Sequence, residues 1–411
     1  MTESTANSRL VIGSLVLAGM LPVMGSTAIS PALPAIQAAY NQTPNAEFLV
    51  RLMLTLPALS VVVCSPLVGA LVDRFGRTAP LIVSTGLFAL AGGAGYVIDS
   101  LYLLLASRAI LGVAIGGIMV TSTTLITDYF NGDKRESVLG WQGAAVNLGG
   151  AFFLVIGGVL TDFGWRAPFL AYLFALVLLP LLVVSLHEPR IEGEASATET
   201  RTTFAEVRRF LDEVPILTLG TMYMITLVVC ILFYLIPIQL PFYLEVEAAV
   251  TGTLAGTILA TYNISGMVFS SQFQRLNARF GLVLLVALVF GLMGTGYVII
   301  GLSSAALGIV LGLLVAGLGW GLLIPIANTW VSQSVTQARR GRALGGVSSV
   351  IFLGQFLSPI VSQPVIEWVS LASTYGLAGL GMLLLAVVFV IGNRWYELGH
   401  QGALRPSSGS Q

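Results

Sequence analysis

The chain is 411 residues long, 56% apolar and only 9% charged, and its 19 basic and 19 acidic side chains balance to zero. Soluble globular domains carry about 25% charged residues, so this composition excludes that class. The neutral balance gives no footing for nucleic acid or another polyanion as partner.

A helix needs about 20 mainly apolar residues to cross the hydrocarbon core of a bilayer. Six such runs are predicted in the first half: Leu10–Ile29, Phe48–Leu71, Pro80–Ile98, Leu101–Ile126, Leu139–Leu160 and Ala167–Leu186. A polar stretch rich in Glu, Thr and Arg interrupts the pattern near the midpoint. Six more runs follow: Ile216–Tyr243, Thr251–Phe273, Leu282–Gly301, Ala305–Val331, Leu344–Ile366 and Leu371–Gly392. The reading is an all-α membrane protein of about twelve helices. Its parts are a six-helix bundle over 1–187, a cytoplasmic loop over 188–213, a second six-helix bundle over 214–393 and a cytoplasmic tail over 394–411.

Basic residues set the expected orientation. With the N-terminus inside and each helix reversing the chain, 16 of the 19 basic residues fall in inside segments. Arg51 and Arg166 lie near the outer face, and Arg108 falls within the fourth helix. Both termini are therefore expected in the cytoplasm.

The halves repeat. An offset of 205 residues aligns Arg74-Phe75-Gly76 with Arg279-Phe280-Gly281, Gly112 and Gly116 with Gly317 and Gly321, and Gly149 with Gly354. Basic turns at 133–136 and 339–342 also coincide. Six helices per repeat keep both copies in one orientation, and such a parallel duplication puts a substrate path between the halves near the bilayer midplane.

The connection after the second helix reads Gly69-Ala70-Leu71-Val72-Asp73-Arg74-Phe75-Gly76-Arg77-Thr78. It closely resembles the signature of the major facilitator superfamily, whose fold and alternating-access transport are then implied. The resemblance implies that Gly69, Asp73, Arg74, Gly76 and Arg77, with Asp128 as acidic partner, form a latch between the cytoplasmic ends of the bundle. The bland alternative is that these charges only fix topology. In the second half Ala278 stands where Asp73 would align, so the latch is expected to be asymmetric.

Arg108-Ala109-Ile110-Leu111-Gly112 resembles the family's Arg-x-x-x-Gly signature of the fourth helix. Arg108 is read as a coupling residue or anchor for an anion, with a snorkelling arginine as the alternative. Gly149, Gly157 and Gly158 keep half of the glycine pattern that antiporters of the superfamily carry in the fifth helix, without its proline. The segment from Met24 to Pro34 resembles the drug-efflux branch, without the acidic residue that many relatives have there.

Residues that interrupt the apolar helices are the candidates for a substrate cavity. These are Met24, Ser26, Thr27, Gln142 and Asn147 in the first half, and Tyr234, Gln239, Tyr262, Asn263, Asn328 and Gln355 in the second. Each has an interhelical hydrogen bond as its bland reading. An apolar cavity with scattered amides suits a lipophilic or amphipathic small molecule.

No carboxylate sits clearly at mid-membrane, so proton coupling rests on the resemblance, with Asp73, Asp128 or Glu245 as available carriers. The two cysteines, Cys64 and Cys230, stand alone in apolar runs, and no metal, cofactor or catalytic constellation is expected. The expected activity is proton-coupled efflux from the bacterial inner membrane by a chain that functions as a monomer. Uptake of a small metabolite and a non-transporting sensor or scaffold are the alternatives.

Overall fold

Backbone N–H and C=O groups find no water in a bilayer core, so an apolar chain of this kind satisfies them within helices. The computed structural model describes residues 2–188 and 216–403. Most of the central loop, with Arg190, Arg201, Arg208 and Arg209, and the end of the tail with Arg405 lie outside the described residues. So do the side chains of Asp73, Arg394 and His400.

Among the described residues, eleven helices are long and apolar enough to cross a membrane. One of them, Gly252–Gly301, has 50 residues and breaks at Gly281, where φ is +73°. At 1.5 Å per residue it would extend about 75 Å, more than twice the hydrocarbon thickness. It is therefore two spans, and the total is twelve. The spans are α1 (Arg9–Ala39), α2 (Ala46–Phe75), α3 (Thr78–Gly93), α4 (Leu101–Tyr129), α5 (Gly132–Thr161), α6 (Ala167–Ser185) and α7 (Leu217–Ala248). The remainder are α8 (252–280), α9 (282–301), α10 (Ala306–Ser334), α11 (Gln337–Val369) and α12 (Leu371–Ala403).

Several spans outrun the apolar runs that announced them. α5 begins at Gly132 rather than Leu139, and α11 at Gln337 rather than Leu344. The extra turns carry Lys134, Arg135, Arg339, Arg340 and Arg342, side chains that keep a helical backbone while standing beyond the hydrocarbon. The first span continues past Ile29 to Ala39 in short pieces, Leu21–Thr27, Ser30–Ala32 and Leu33–Ala39. Each piece has a proline at its start, where the missing N–H costs nothing and φ is already helical. α7 likewise divides at Tyr234 into Ile216–Phe233 and Leu235–Ala248.

Each half has its own core. In the first, Leu15, Leu54, Phe88, Leu111, Ile118 and Phe169 are fully buried together. In the second, Leu259, Phe290, Met293, Leu313, Ile326 and Tyr297 play that part. Between the halves, α5 packs on α8 and α2 on α11, while the proline-broken ends of α1 and α7 meet.

Candidate transport cavity and its gates

A cavity of about 360 Å³ lies between the halves. α1, α2, α4 and α5 wall it from one side, and Tyr234 of α7 with Ile351, Phe352 and Gln355 of α11 from the other. No Asp, Glu, Lys, Arg or His lines it. Its polar groups are Ser26, Ser122, Thr123, Gln142, Tyr234 and Gln355. On the first-half wall Ser26, Ser122 and the Gln142 amide nitrogen are already engaged, while the Thr123 hydroxyl is not. Ser26 donates to the Val23 carbonyl (3.4 Å), Ser122 to that of Met119 (3.5 Å), and Gln142 Nε2 to Ser122 Oγ (3.4 Å). Across the cavity, the Tyr234 hydroxyl and the Gln355 carboxamide have no hydrogen-bond partner among the described residues.

Four of the sequence-selected candidates, Ser26, Gln142, Tyr234 and Gln355, thus share one wall-lined space. The others stand elsewhere. Met24 is fully buried in the first core, and Thr27 donates to the Val23 carbonyl (2.9 Å). Asn147 bonds back to the Gly143 carbonyl (3.0 Å). The Tyr262 ring meets Phe233 edge-on at 5.3 Å, and Asn263 packs against Gly150 with its Nδ2 unpaired. Asn328 lies in a separate exposed concavity with Ser332 and Arg340. Gln239 is wholly buried in the contact between the halves.

That contact has two seams on the same side of the cavity. In one, α5 meets α8 through glycine. A Cβ on Gly158 would stand 2.6 Å from the Gly252 carbonyl oxygen and 3.0 Å from Gly256 Cα. Small residues of this kind let backbones approach closely where lipid supplies no hydrophobic drive. Asp162 accepts from the Thr253 N–H (3.2 Å) and hydroxyl, satisfying the start of α8. The other two glycines of the antiporter-like pattern face α1, Gly149 beneath Met20 and Gly157 against the Ala28 carbonyl.

In the other seam, α2 meets α11 through a polar network that the sequence reading missed. Arg51 is 3% exposed. Its Nε donates to Gln239 Oε1 (2.7 Å), and its Nη1 to Gln37 Oε1 (3.0 Å) and the Glu47 carbonyl (2.8 Å). Nη2 pairs with Glu47 Oε1 at 3.2 Å, and the guanidinium carbon lies 4.2 Å from the Phe242 ring centroid. Gln363 Nε2 of α11 reaches Glu47 Oε1 (3.0 Å) and Glu367 Oε1 (3.3 Å). An i, i+4 Glu-Arg pair at the head of an apolar helix was the available signal. Near it, Ser30 donates to the Pro237 carbonyl.

At the opposite end of the bundle, the α2–α3 connection is held within its own half. Gly76 turns the chain with φ +80°, and Arg77 Nε stands 3.3 Å from Asp128 Oδ2. The Glu188 carboxylate caps α3, accepting from the N–H groups of Arg77 (2.7 Å) and Thr78 (2.9 Å). Partial burial pushes the Glu188 carboxyl upward, but these donors and the Arg77 charge outweigh it and hold the group below its usual range. Arg74 is exposed over the Phe75 ring, and no heavy atom lies within 4 Å of where a Gly69 Cβ would stand. No neighbouring helix packs against Gly69 in this state.

Arg108 is fully buried inside the first half and does not line the cavity. Its Nη2 donates to the carbonyls of Ala91 (2.9 Å) and Gly92 (2.8 Å), the last turn of α3, where helix carbonyls lack partners and a cation is favoured. The Phe169 and Tyr172 rings flank it at about 5 Å.

Comparison with known proteins follows this geometry. The family model described as Major Facilitator Superfamily matches residues 15–359 and 225–395. The "Multi-drug resistance efflux pump PmrA homolog" of Lactococcus lactis is 25% identical over 92% of each chain. The "Multi-drug resistance efflux pump PmrA" of Streptococcus pneumoniae is 26% identical over 77% of this chain and 79% of its own. "Efflux pump dotC" of Dothistroma septosporum is 29% identical over 46% of this chain, a match that spans only 33% of that pump's length. Among solved structures, the nucleoside transporter NupG superposes with a TM-score of 0.74 at 12% identity, covering 93% of this chain and 98% of that one. A D-xylose-proton symporter superposes with 0.73 at 16% identity, covering 92% and 96%.

Proposed function

We propose that this chain, which belongs to the Major Facilitator Superfamily, exports uncharged lipophilic or amphipathic small molecules across a bacterial inner membrane in exchange for protons. The observation that carries this reading is the cavity itself. Both halves build it, no charged group lines it, and both seams described above lie on one side of it. Such a wall offers apolar contact to most of a ligand and directional bonding at a few groups, Thr123, Tyr234 and Gln355. A sugar phosphate or a carboxylate would meet no cation there.

Direction and orientation rest on three supports. Basic side chains gather at the end away from the seams, as inside segments do. Relatives that align over most of their length are named as efflux pumps. Under this orientation the seams close the outer side, and the state described is inward-facing, with the cavity served from the cytoplasm. Export then requires the seams to part while the α2–α3 connection, with Arg77 and Asp128, closes the inner side. One chain holds the whole path, so a monomer suffices.

The test is accumulation of a panel of lipophilic dyes in cells expressing the protein, with and without a protonophore. Lowered accumulation that the protonophore restores is the expected result. Unchanged accumulation across the panel would sink the reading, and accumulation above control cells would reverse its direction.

A further inference from the structure

One amide of the cavity stands apart when the two halves are compared. The 205-residue offset pairs Gln355 of α11 with Gly150 of α5, and Asn263 of α8 with Ala58 of α2. Each helix pair, α5 with α8 and α2 with α11, thus carries one carboxamide and one small residue at equivalent positions. The two amides meet different ends. Asn263 is turned onto Gly150 inside the α5–α8 seam, 3.2 Å from where a Gly150 Cβ would stand, and does not line the cavity. Gln355 and Ala58 both face the cavity, and the Gln355 carboxamide is left open to it.

Gln355 is only 5% exposed, yet neither its oxygen nor its nitrogen has a hydrogen-bond partner among the described residues. A buried amide in that condition is destabilising, and each unpaired atom adds to the penalty. Of the two carboxamides in the cavity it is the one free on both atoms, since the Gln142 nitrogen already donates to Ser122. A hydroxyl, such as that of Tyr234 or Thr123, turns to suit a single partner. A carboxamide is planar and holds an acceptor beside a donor at a fixed spacing. Its complement is the same edge reversed, a ligand N–H beside a C=O, as in a lactam, an imide or a primary carboxamide. Phe352 precedes Gln355 by three residues on α11 and lines the same cavity, so a flat ring lying against Phe352 brings its rim to the amide. We infer that the cavity selects flat, uncharged compounds with a lactam-type edge, and that Gln355 recognises this edge through a pair of hydrogen bonds.

Water can pair the amide while the cavity is open to one side. Closure over a ligand displaces that water, and the amide is then paired by the ligand or left unpaired. A carbonyl alone satisfies the nitrogen and strands the oxygen. A lactam satisfies both atoms, so discrimination arises from the group that would otherwise be orphaned.

This inference rests on the cavity proposed above as the substrate site, and not on the direction of transport or on protons. The test uses the full chain in lipid nanodiscs, with equilibrium dialysis against empty discs. The probes are carbostyril methylated on a ring carbon, which keeps the N–H beside the C=O, and its isomer methylated on nitrogen, which does not. The expected result is roughly tenfold tighter binding of the carbon-methylated isomer to the native protein. Gln355→Met keeps an unbranched side chain without the amide, and should level the two affinities by weakening that isomer alone. Tyr234→Phe leaves the amide in place, and should lower both affinities while keeping their ratio. Equal affinities in the native protein overturn the proposal, a comparison that needs no substitution, and so does failure of both isomers to bind. A preference that survives in Gln355→Met, or one that vanishes in Tyr234→Phe, overturns it as well. A preference that stands while dye accumulation in cells is unchanged would sink the export reading and leave this one in place.

Discussion

Two seams related by the internal repeat close the same side of this molecule by different physics. At α5–α8, Gly158 lets two backbones touch, so dispersion between close-packed atoms adds to the hydrogen bonds from Thr253 to Asp162. At α2–α11, Gln363 donates to Glu47, the carboxylate that also pairs with Arg51 on its own helix. The duplicated scaffold needs only that both pairs approach. What fills each approach is free to diverge, and here one seam is built on glycines and the other on directional polar bonds. The same asymmetry holds at the opposite end, where Arg77 pairs with Asp128 in the first half and the second repeat has Ala278 in place of Asp73.

The comparison is broken most severely by filling the glycine seam. Gly158→Leu puts a branched side chain where the Gly252 oxygen and Gly256 Cα already stand. It should cost the closed state about 3 kcal/mol, the upper range for overpacking. Distances between spin labels on Gln42→Cys and Leu302→Cys, exposed positions at the gated end of the two halves, should stay long, and dye export should fall to background. Short distances in this variant would mean that the α5–α8 contact does not hold the gate.

Arg51→Met acts on the polar seam with less force. It leaves the Gln37 and Gln239 oxygens without their donor, a loss of about 2 kcal/mol from the closed state. The expected outcome is a partly open gate, read as a larger long-distance population between spin labels at the gated end of the two halves. An unchanged population in this variant would separate Arg51 from the gate.

Gln355→Ala sharpens the comparison from within α11 by leaving the seam alone. It removes one of the unengaged polar groups of the cavity. The expected change is about 1 kcal/mol, or roughly fivefold in the half-saturating concentration of compounds that carry a hydroxyl or carbonyl. Distances at the gated end should not move. An equal effect on compounds without such groups would argue for lost shape rather than a lost bond.

The smallest effect belongs to Glu188→Gln at the far end. The folded-state pKa of Glu188 is depressed, so its contribution is present above the ordinary carboxylate pKa of about 4.3 and is lost as pH falls through the folded value. The variant should therefore melt below the native protein at pH 7, by the few tenths of a kcal/mol expected of an exposed capping carboxylate. The gap should close as the solution is acidified below pH 4. A gap independent of pH would assign the loss to packing.

Much of this architecture is legible in the sequence because the bilayer is a solvent with few options. The apolar runs and the 205-residue offset mark spans and halves without reference to any neighbour. Ser26, Gln142, Tyr234 and Gln355 were singled out as polar interruptions of apolar helices, and they do meet in one cavity. The same rule also chose Gln239, Tyr262, Asn263 and Thr27, which do not. A polar residue in a span is equally ready to face a cavity, a seam or its own helix, and composition cannot tell these apart.

Sequence alone therefore determined the class of fold, the duplication and the near absence of charge from the middle of the membrane, since each follows from transfer between water and lipid. The tertiary structure decided which polar groups meet. The break at Tyr234 and the prolines of α1 and α7 turn successive residues toward different neighbours, so that Tyr234 opens on the cavity while Gln239, five residues on, closes on Arg51. Only the packed bundle fixes such rotations, because side-chain direction along a broken helix is set by what it packs against.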